Sequence, residues 1–412
     1  MVDRINKGNN LKITFISTEK DNGGAARMAT TLADSINLYA PSCKLQFFHC
    51  GDNIKQGFYH GLKKPLIKYF NILQTRILGS NNLYDSRVAN EIIKKSITSD
   101  VIHIHNLHGY YINYNKVLHE WRDRPLVWTW HDMWGATGRC AFSFDCDKWE
   151  KGCKSCEFME LYPKAWVDHA AHEYVVKENL YKELTNLWIV TPSEWLRSIA
   201  IKRGFDGSRV VAIPNPVDLS SFKYIPKDVA RKKLGLDHRL PYLLFVAADC
   251  NDPRKGYQDF YRIVEKLQVP GIVIGKVPVK TSRYLHYVGE LKDKEKLALY
   301  YSAAELFVIT SKADNYPYTV IEAMSCGTPA LGYKVGGIPD QLPKDHDNLV
   351  EYGCYEKLAD KISSHLSNGV SQYRSKILVE QAHQKWEPQV VVKQYMDVYV
   401  RALGGKHPIV VS

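Results

Sequence analysis

Short apolar runs alternate with amphipathic stretches along most of this chain, and this alternation constrains the fold more than any other feature. Runs such as LKITFIS (11–17) and YLLFVAAD (242–249) have the length and composition of buried strands. Segments such as AARMATTLADSINLY (25–39) and DKEKLALYYSAA (293–304) have the spacing of helices that bury one face. Strands that alternate with helices predict parallel sheets covered by helices on both faces. The remaining predicted strands are KLQFFHC (44–50), VIHIHN (101–106), PLVWTWHD (125–132), LWIVTPS (187–193), GIVIGK (271–276) and ELFVIT (305–310).

The alternating pattern occurs twice and is interrupted near residues 195–220, which predicts two doubly wound α/β domains. A length of 412 residues fits two domains of roughly 200 residues each. We predict an N-terminal Rossmann-like domain over 1–197, a C-terminal one over 198–385 and a final amphipathic helical segment over 386–412. Ligands of such sheets bind beyond the carboxyl ends of the strands, so we expect the site in a cleft that both domains face.

Composition and charge restrict the partners and the location. Hydrophobic residues make up 45% and charged residues 24% of the chain, which is typical of globular proteins. No apolar run has the ~20 residues of a membrane span, and MVDRINKGNN (1–10) lacks the apolar core of a signal peptide. We therefore expect a cytoplasmic protein. Its net charge of +11 favours an anionic partner, such as a phosphorylated substrate, nucleic acid or anionic lipid.

The segment SKADNYPYTVIEAMSCGTP (311–329) places Asp314 in a loop after a strand and Glu322 eight positions later, inside a helix. A carboxylate one turn inside that helix can accept two neighbouring ribose hydroxyls, and Asp314 can reach the hydroxyls of an adjacent sugar. Two solvated acids are the alternative interpretation. Gly327 is expected to end the helix.

The start of the same helix is a predicted anion site. Thr319 is the expected N-cap, and the backbone N–H groups of Tyr318, Thr319 and Val320 would bind a diphosphate together with the helix dipole. Two further loops support a phosphate site. Arg254 and Lys255 precede a predicted helix, although a solvated basic turn would look the same. Gly23 and Gly24, after the first strand, would let backbone approach a ligand closely.

These motifs occur in the order seen in retaining glycosyltransferases of the GT-B type, and the chain resembles the large bacterial family 4 from about residue 11 to 400. The implied fold is two Rossmann-like domains that face a cleft. The motifs that carry the resemblance are, in chain order, DNGGAAR (21–27), VIHIHN (101–106), TWHD (129–132), TPSEWL (191–196), IPNPVDLSSF (213–222), DPRKG (252–256), the Asp314–Glu322 pair, AMSCGTP (323–329) and GGIPD (336–340).

The resemblance implies roles for residues of the C-terminal half. Glu322 matches the acid that binds the nucleotide ribose, and Lys255 matches the lysine that binds the donor phosphates. Asp314 matches the first acid, which contacts the donor sugar and is usually Glu. The family's companion arginine is absent, because Ala247-Ala248-Asp249 occupies its usual place, and Arg254 is the expected substitute.

In the N-terminal half, Gly24 matches the glycine loop near the diphosphate, and His131 matches a histidine that contacts the donor sugar. The resemblance further implies a UDP- or GDP-sugar donor and transfer of a hexose with retention to a saccharide or lipid-linked saccharide, in cell-surface polysaccharide synthesis. The cations and the helix start would stabilise the leaving diphosphate, so no catalytic divalent metal is expected. Asp132 is a weaker candidate for a base, and a buried, structurally satisfied His–Asp pair is the alternative for both residues.

Four cysteines lie between residues 138 and 158. Cys140, Cys146, Cys153 and Cys156 fall within seventeen residues and end in a C-x2-C pair, a spacing that favours one structural, tetrahedral zinc. Plain reduced cysteines, a disulfide or an iron–sulfur site are the alternatives. Four thiolates would leave no open coordination position for catalysis.

The stretch from 59 to 80 mixes lysine and arginine with large apolar residues, so from Pro65 onward it could form a basic amphipathic helix on an anionic bilayer. A core-facing helix with solvated lysines is the alternative interpretation. Peripheral attachment to the inner face of the membrane would suit a lipid-linked acceptor.

Two other functions remain open from the sequence. A zinc-knuckle protein that binds nucleic acid would use the basic surface, but its cations should form a stripe, whereas here they are dispersed. A non-catalytic relative that binds a glycan or nucleotide is compatible with the Asp314 change and the missing arginine.

Overall fold

A computed structural model describes residues 11–20, 23–50, 55–56, 59–62, 65–80, 84, 86–343, 347–368 and 372–404. The chain divides into two compact units. The first unit comprises residues 1–214 together with 388–412, and the second comprises residues 215–387.

The first unit is built on one eight-stranded sheet with the strand order β3-β4-β2-β1-β5-β6-β7-β8. Neighbouring strands are parallel except for β3, which is antiparallel to β4. Its elements are β1 (Lys12–Ser17), α1 (Gly24–Tyr39), β2 (Lys44–Cys50), β3 (Lys55–Gln56), β4 (Tyr59–Leu62), α2 (Pro65–Leu78), α3 (Ser86–Ser96), β5 (Val101–Ile104), α4 (Tyr114–Glu120), β6 (Leu126–Thr129), α5 (Ala170–Glu183), β7 (Leu187–Thr191), α6 (Glu194–Lys202), β8 (Val210–Ala212) and the C-terminal helix α13 (Pro388–Ala402).

The strand order of this sheet reverses between β1 and β5, which places a topological switch point there. All residues of β5 and β6 are buried, as expected for central strands covered on both faces. The loops that follow β1 and β5 therefore meet at the carboxyl edge of the sheet, and these loops carry Gly23 and His105.

The first unit continues to Pro214, beyond the predicted boundary at residue 197. The physical reason is β8, which follows α6 and pairs in parallel with β7 as the edge strand of the first sheet. This three-residue strand is too short to stand out as an apolar run.

The terminal helix α13 packs on the first unit through buried tyrosines. Tyr399 OH lies 2.7 Å from His103 Nδ1, and Tyr395 OH lies 3.1 Å from Thr129 Oγ1. At its end, the Asn186 side-chain amide donates a 2.7 Å hydrogen bond to the Ala402 carbonyl. The helix thus completes the core of the first unit, whereas residues 405–412 of the predicted 386–412 segment lie outside the described chain.

The second unit is built on a six-stranded, all-parallel sheet with the order β11-β10-β9-β12-β13-β14. The order reverses between β9 and β12, so the loops after these two strands meet at the carboxyl edge. Its elements are α7 (Lys227–Leu234), β9 (Leu243–Asp249), α8 (Tyr257–Leu267), β10 (Gly271–Lys276), β11 (Leu285–Gly289), α9 (Lys294–Ala303), β12 (Leu306–Ile309), α10 (Tyr318–Ser325), β13 (Ala330–Tyr333), β14 (Leu349–Val350), α11 (Tyr355–Asn368) and α12 (Gln372–Trp386).

Two doubly wound α/β units agree with the fold predicted from the sequence. Among the helices in the described part of the chain, none has both the length and the apolar character needed to cross a membrane.

Candidate active site

The loop after β9 presents two cations at the switch point of the second unit. Asp252 caps a single 3-10 turn (Pro253–Lys255), which Gly256 links to α8. The Arg254 guanidinium forms a bidentate pair with the Asp252 carboxylate: Nη2 lies 2.6 Å from Oδ2, and Nε lies 3.2 Å from Oδ1. Arg254 therefore lies in the predicted loop and is already engaged by a carboxylate.

Lys255 and Asp314, both predicted to contact the donor, form an ion pair with Nζ 2.6 Å from Oδ2. Both side chains are largely buried. The Ser311 hydroxyl lies 3.4 Å from the same carboxylate oxygen. The structure therefore joins a predicted phosphate ligand and a predicted sugar ligand in one pair.

Backbone contacts hold the loops after β9 and β12 against each other. The Lys312 N–H donates to the Arg254 carbonyl at 2.6 Å, and the Thr310 hydroxyl donates to the Lys255 carbonyl at 3.3 Å. Gly256 has a left-handed φ of 68°, and a Cβ there would come within 1.9 Å of the Thr310 carbonyl oxygen. Only glycine permits this close approach.

Helix α10 begins directly after Pro317, which is its N-cap, so the prediction that Thr319 caps the helix is wrong. Pro317 is extended and the helical geometry starts at Tyr318, which places Thr319 one residue inside. The Val320 N–H donates to the Pro317 carbonyl at 3.2 Å, so it is already engaged. The helix ends at Ser325 with Cys326 as its C-cap, and Gly327 follows with φ 80°, which confirms the predicted glycine stop.

Glu322 lies one turn inside α10 and is 1% exposed. The hydroxyl of Tyr301, from α9, donates a 2.8 Å hydrogen bond to Glu322 Oε2. The buried phenol of Tyr301 thus fixes one oxygen of this carboxylate.

The glycine pair lies at the switch point of the first unit. Gly23 is the N-cap of α1, with φ 91° and no atom within 4 Å of a Cβ built on it. Gly24 is the first helical residue, and both glycines are exposed. Backbone at this helix start is therefore accessible to a ligand, as predicted for a glycine loop.

His131 and Asp132 contact different histidines. His131 Nε2 lies 3.1 Å from His105 Nδ1, and one of these nitrogens donates to the other. Asp132 Oδ2 lies 3.0 Å from His108 Nε2, while its Oδ1 accepts the Trp134 N–H at 2.9 Å. Both carboxylate oxygens of Asp132 are thus engaged, one by His108 and one by the Trp134 N–H that it caps. This arrangement favours a structural role for Asp132 over the role of a base.

Burial controls the charge of this histidine group. It lowers the pKa of His131 to about 4, despite the nearby Asp132, and holds the pKa values of His103 and His105 well below their ordinary range. Burial alone would raise the pKa of Asp132, but the His108 charge and hydrogen bond outweigh it and lower that pKa. At neutral pH, His131 is therefore an uncharged hydrogen-bonding group beside an ionised Asp132.

A buried lysine supports the loop that follows His131. Lys177, from α5, donates to the carbonyls of Trp134 and Thr137 at 2.7 and 3.0 Å, and its ammonium stands 3.5 Å from the centre of the Trp134 indole. Burial lowers the pKa of Lys177 to about 7. This side chain fixes the backbone of the loop without reaching the surface.

The structure does not support the predicted zinc site. Within the described residues, which include all four cysteines of the cluster, no three His, Cys, Asp or Glu side chains form a group that could hold a metal ion. Cys140, Cys146, Cys153 and Cys156 are free thiols. Burial raises the pKa of Cys140 to about 12 and raises that of Cys153, whose Sγ accepts the Gly138 N–H at 3.1 Å.

Sequence reasoning overlooked three side chains that shape the site. His105 and His108 belong to a spaced histidine pattern in HIHNLH (103–108), which directly follows a buried run and could have been noticed. Tyr301 carries no local signal, because it lies 21 residues before its partner Glu322 and looks like an ordinary core residue of a helix.

Comparison with known proteins assigns the family. Residues 58–221 match the family described as Glycosyltransferase Family 4, and residues 240–368 match the one described as Glycosyl transferases group 1. A curated relative, the putative colanic acid biosynthesis glycosyl transferase WcaC of Escherichia coli K12, is 28% identical over 298 residues, which is 69% of this chain and 71% of WcaC.

Two solved structures share the fold. Sucrose-phosphate synthase from Thermosynechococcus elongatus superposes with a TM-score of 0.69 at 18% identity, over 96% of this chain and all of that one. HepE of Anabaena in complex with UDP-glucose has a TM-score of 0.65 at 16% identity, with 96% and 100% covered. The chain thus belongs to glycosyltransferase family 4, whose members are retaining, nucleotide-sugar-dependent enzymes with the GT-B fold.

Proposed function

We propose that this enzyme transfers a hexose from a UDP-sugar, or alternatively a GDP-sugar, to a saccharide or lipid-linked saccharide during the assembly of a cell-surface polysaccharide. The name of the relative WcaC supports the polysaccharide context. The UDP-glucose complex of HepE supports a uridine donor. We expect the reaction on the cytoplasmic side of the membrane, where nucleotide sugars are made.

The main support for this proposal is the contact between the loops that follow β9 and β12 in the second unit. Lys255 and Asp314 pair near the point where the strand order reverses, which is where doubly wound sheets bind nucleotides, and the loop of Asp314 leads into α10. In the proposed complex, Lys255 and the first N–H groups of α10 bind the diphosphate and Glu322 binds the ribose. Asp314 contacts the sugar, while Arg254 lies within reach of the phosphates on the same turn.

The transfer needs no protein nucleophile. The bond between the anomeric carbon and the diphosphate oxygen breaks, leaving an oxocarbenium-like carbon and added negative charge on the diphosphate. The acceptor oxygen then bonds to that carbon from the same face, and its proton passes to the departing phosphate oxygen. Lys255 and the helix dipole of α10 stabilise the developing charge.

His131 is proposed to orient the donor sugar. Its pKa of about 4 leaves the imidazole neutral, so it can exchange hydrogen bonds with a hydroxyl without adding a positive charge beside the oxocarbenium-like carbon. His105 fixes the ring through the 3.1 Å contact with Nε2.

A donor panel tests the proposal. The purified chain is incubated with UDP- and GDP-hexoses and a set of saccharide acceptors, the products are identified by mass spectrometry, and the anomeric configuration is read by NMR. A product with the α-configuration of the donor is expected from at least one UDP-sugar. Binding of UDP without transfer from any donor would instead support a non-catalytic relative.

A further inference from the structure

Among the described side chains of helix α2, from residue 68 to 78, polar groups face inward and several large apolar groups face outward. Asn71 and Thr75 are buried, and Asn71 Nδ2 donates to the Tyr110 carbonyl at 2.9 Å. Thr75 Oγ1 donates to the Asn71 carbonyl at 2.8 Å. Amphipathic helices of globular proteins show the opposite arrangement. The interior of the first unit therefore does not account for the exposed apolar residues of this helix.

The outward face of α2 carries a stripe of large apolar side chains, of which Phe70 is 65% exposed. Tyr69 is also mostly exposed, and Leu73 and Ile77 are about half exposed. Their positions repeat at three and four residues, which places them on one side of the helix. We call Tyr69, Phe70, Leu73 and Ile77 the α2 stripe.

Trp166 extends the α2 stripe at its C-terminal end. Its backbone N–H donates to the Arg76 carbonyl at 2.7 Å, and its side chain is 65% exposed. A Cβ at Gly79 would come within 2.3 Å of the Val167 carbonyl oxygen, so the end of the helix and this segment are in close contact. Tryptophan and tyrosine next to aliphatic residues are typical of proteins at the boundary between lipid and water.

The sequence segment that contains α2 is cationic. Between residues 53 and 84 the sequence contains five lysines and arginines and no aspartate or glutamate. Arg76 is exposed on the helix, whereas the Lys68 ammonium lies 2.9 Å from the carboxylate of Glu19. Lys63 and Lys64 immediately precede the helix but lie outside the described residues. A cationic segment without carboxylates complements an anionic surface.

We propose that the α2 stripe and Trp166 dock this enzyme on a bilayer that contains anionic phospholipid. The apolar and aromatic side chains enter the boundary between headgroups and acyl chains, while the cations contact the headgroups. The inference deepens the proposed function, since a membrane-bound enzyme meets a lipid-linked acceptor at the surface. The benefit of docking depends on the proposed function, whereas binding to the bilayer can be tested without it.

Vesicle co-sedimentation of the full chain tests the docking surface. We expect binding to vesicles of phosphatidylcholine with phosphatidylglycerol, weaker binding to phosphatidylcholine alone, and loss of binding as salt is raised. Phe70→Ser should lower the partition constant of the protein between water and the anionic vesicles about tenfold, and Trp166→Ser should lower it by a similar factor. The matched control is Leu38→Ser on α1, a residue that is 67% exposed in the same unit, and it should leave binding unchanged.

Several outcomes would overturn the inference: no binding to the anionic vesicles, equal effects of Phe70→Ser and Leu38→Ser, or self-association of the wild-type chain that Phe70→Ser abolishes, which would make the stripe an interface between copies. Unchanged circular dichroism of each variant shows that folding is intact. Transfer to a water-soluble acceptor, or hydrolysis of the donor, is measured in parallel without vesicles. Loss of that activity in the wild type with intact vesicle binding contradicts the proposed function and leaves the docking surface standing.

Discussion

The ammonium of Lys255 lies 2.6 Å from the carboxylate of Asp314, although the two residues follow different strands. Arg254, on the same turn as Lys255, is paired with Asp252 in the same way. These two ion pairs join two cations to two carboxylates, and Lys312 in the loop after β12 adds a third cation. A diphosphate that binds here has to draw Lys255 away from Asp314 or share it with that carboxylate.

This competition makes a prediction about Asp314→Asn. Without the carboxylate, Lys255 is free for phosphate, so we expect UDP to bind several-fold more tightly while sugar transfer falls about a hundredfold, because the donor sugar loses its contact. Lys255→Met should have the opposite effect on UDP and weaken its binding more than tenfold. Calorimetric titration with UDP and initial rates of transfer measure the two effects.

A matched control is Lys276→Met. Lys276 is the exposed last residue of β10, and it pairs with Asp249, the last residue of β9. This change should leave both UDP affinity and transfer within about twofold of the wild type. Weaker UDP binding by Asp314→Asn would contradict the competition between carboxylate and phosphate.

Glu322 and Tyr301 give a second prediction, for the ribose. We expect Glu322→Ala to weaken UDP binding at least tenfold and to remove the preference for UDP over 2′-deoxy-UDP and 3′-deoxy-UDP. Tyr301→Phe removes one hydrogen bond to Oε2, so a smaller loss and a retained preference are expected. Competition of the deoxy analogues against UDP reports the preference directly. A retained preference in Glu322→Ala would show that the buried carboxylate serves the fold alone.

The sequence was sufficient to predict the two α/β units and the loops of the site, because both depend on local patterns. Continuous apolar runs marked central strands such as β5 and β12, and a glycine after a short helix marked the end of α10. Edge strands were not found: β8 has three residues and β14 has two, so neither carries enough pattern.

Pairings between distant residues could not be predicted. The Lys255–Asp314 pair spans 59 residues, and its formation depends on Gly256 packing against Thr310. The cysteine spacing predicted zinc without showing where the thiols lie, and within the described residues these thiols form no group that could hold a metal ion. The N-cap of α10 was misplaced because Pro317 starts the helix without any capping side chain.

The buried histidines predict that acid destabilises the first unit. The folded-state pKa of His131 is about 4, below its ordinary value of 6.5, so the unfolded chain binds more protons between these pH values. The free energy of unfolding therefore falls as the pH drops from 6.5 toward 4. His131 alone should lower it by about 2 kcal/mol between pH 7 and pH 5. His103 and His105 shift in the same direction and add to the loss.

Tryptophan fluorescence during urea denaturation measures this effect, because eight of the nine tryptophans belong to the first unit. The difference in unfolding free energy between pH 7 and pH 5 should shrink in His131→Gln by about 2 kcal/mol. His172→Gln, which removes an exposed histidine of the same unit, should leave that difference unchanged. Equal pH dependence in His131→Gln and the wild type would disprove the role of burial.

Gly256 and Gly235 form a matched pair that isolates the close approach of the two loops. Both have a left-handed φ, 68° and 67°, but a Cβ at Gly235 meets no atom within 4 Å, whereas one at Gly256 meets the Thr310 carbonyl oxygen at 1.9 Å. Gly235→Ala should cost about 1 kcal/mol for the backbone conformation alone. Gly256→Ala should cost about 3 kcal/mol, because the turn that carries Lys255 must also move. Gly256→Ala should further weaken UDP binding at least tenfold, since the moved turn takes the Lys255 ammonium away from the proposed phosphate position, and Gly235→Ala should not. Thermal denaturation and UDP titration measure both effects, and equal losses in the two variants would mean that the contact with Thr310 places no constraint on the site.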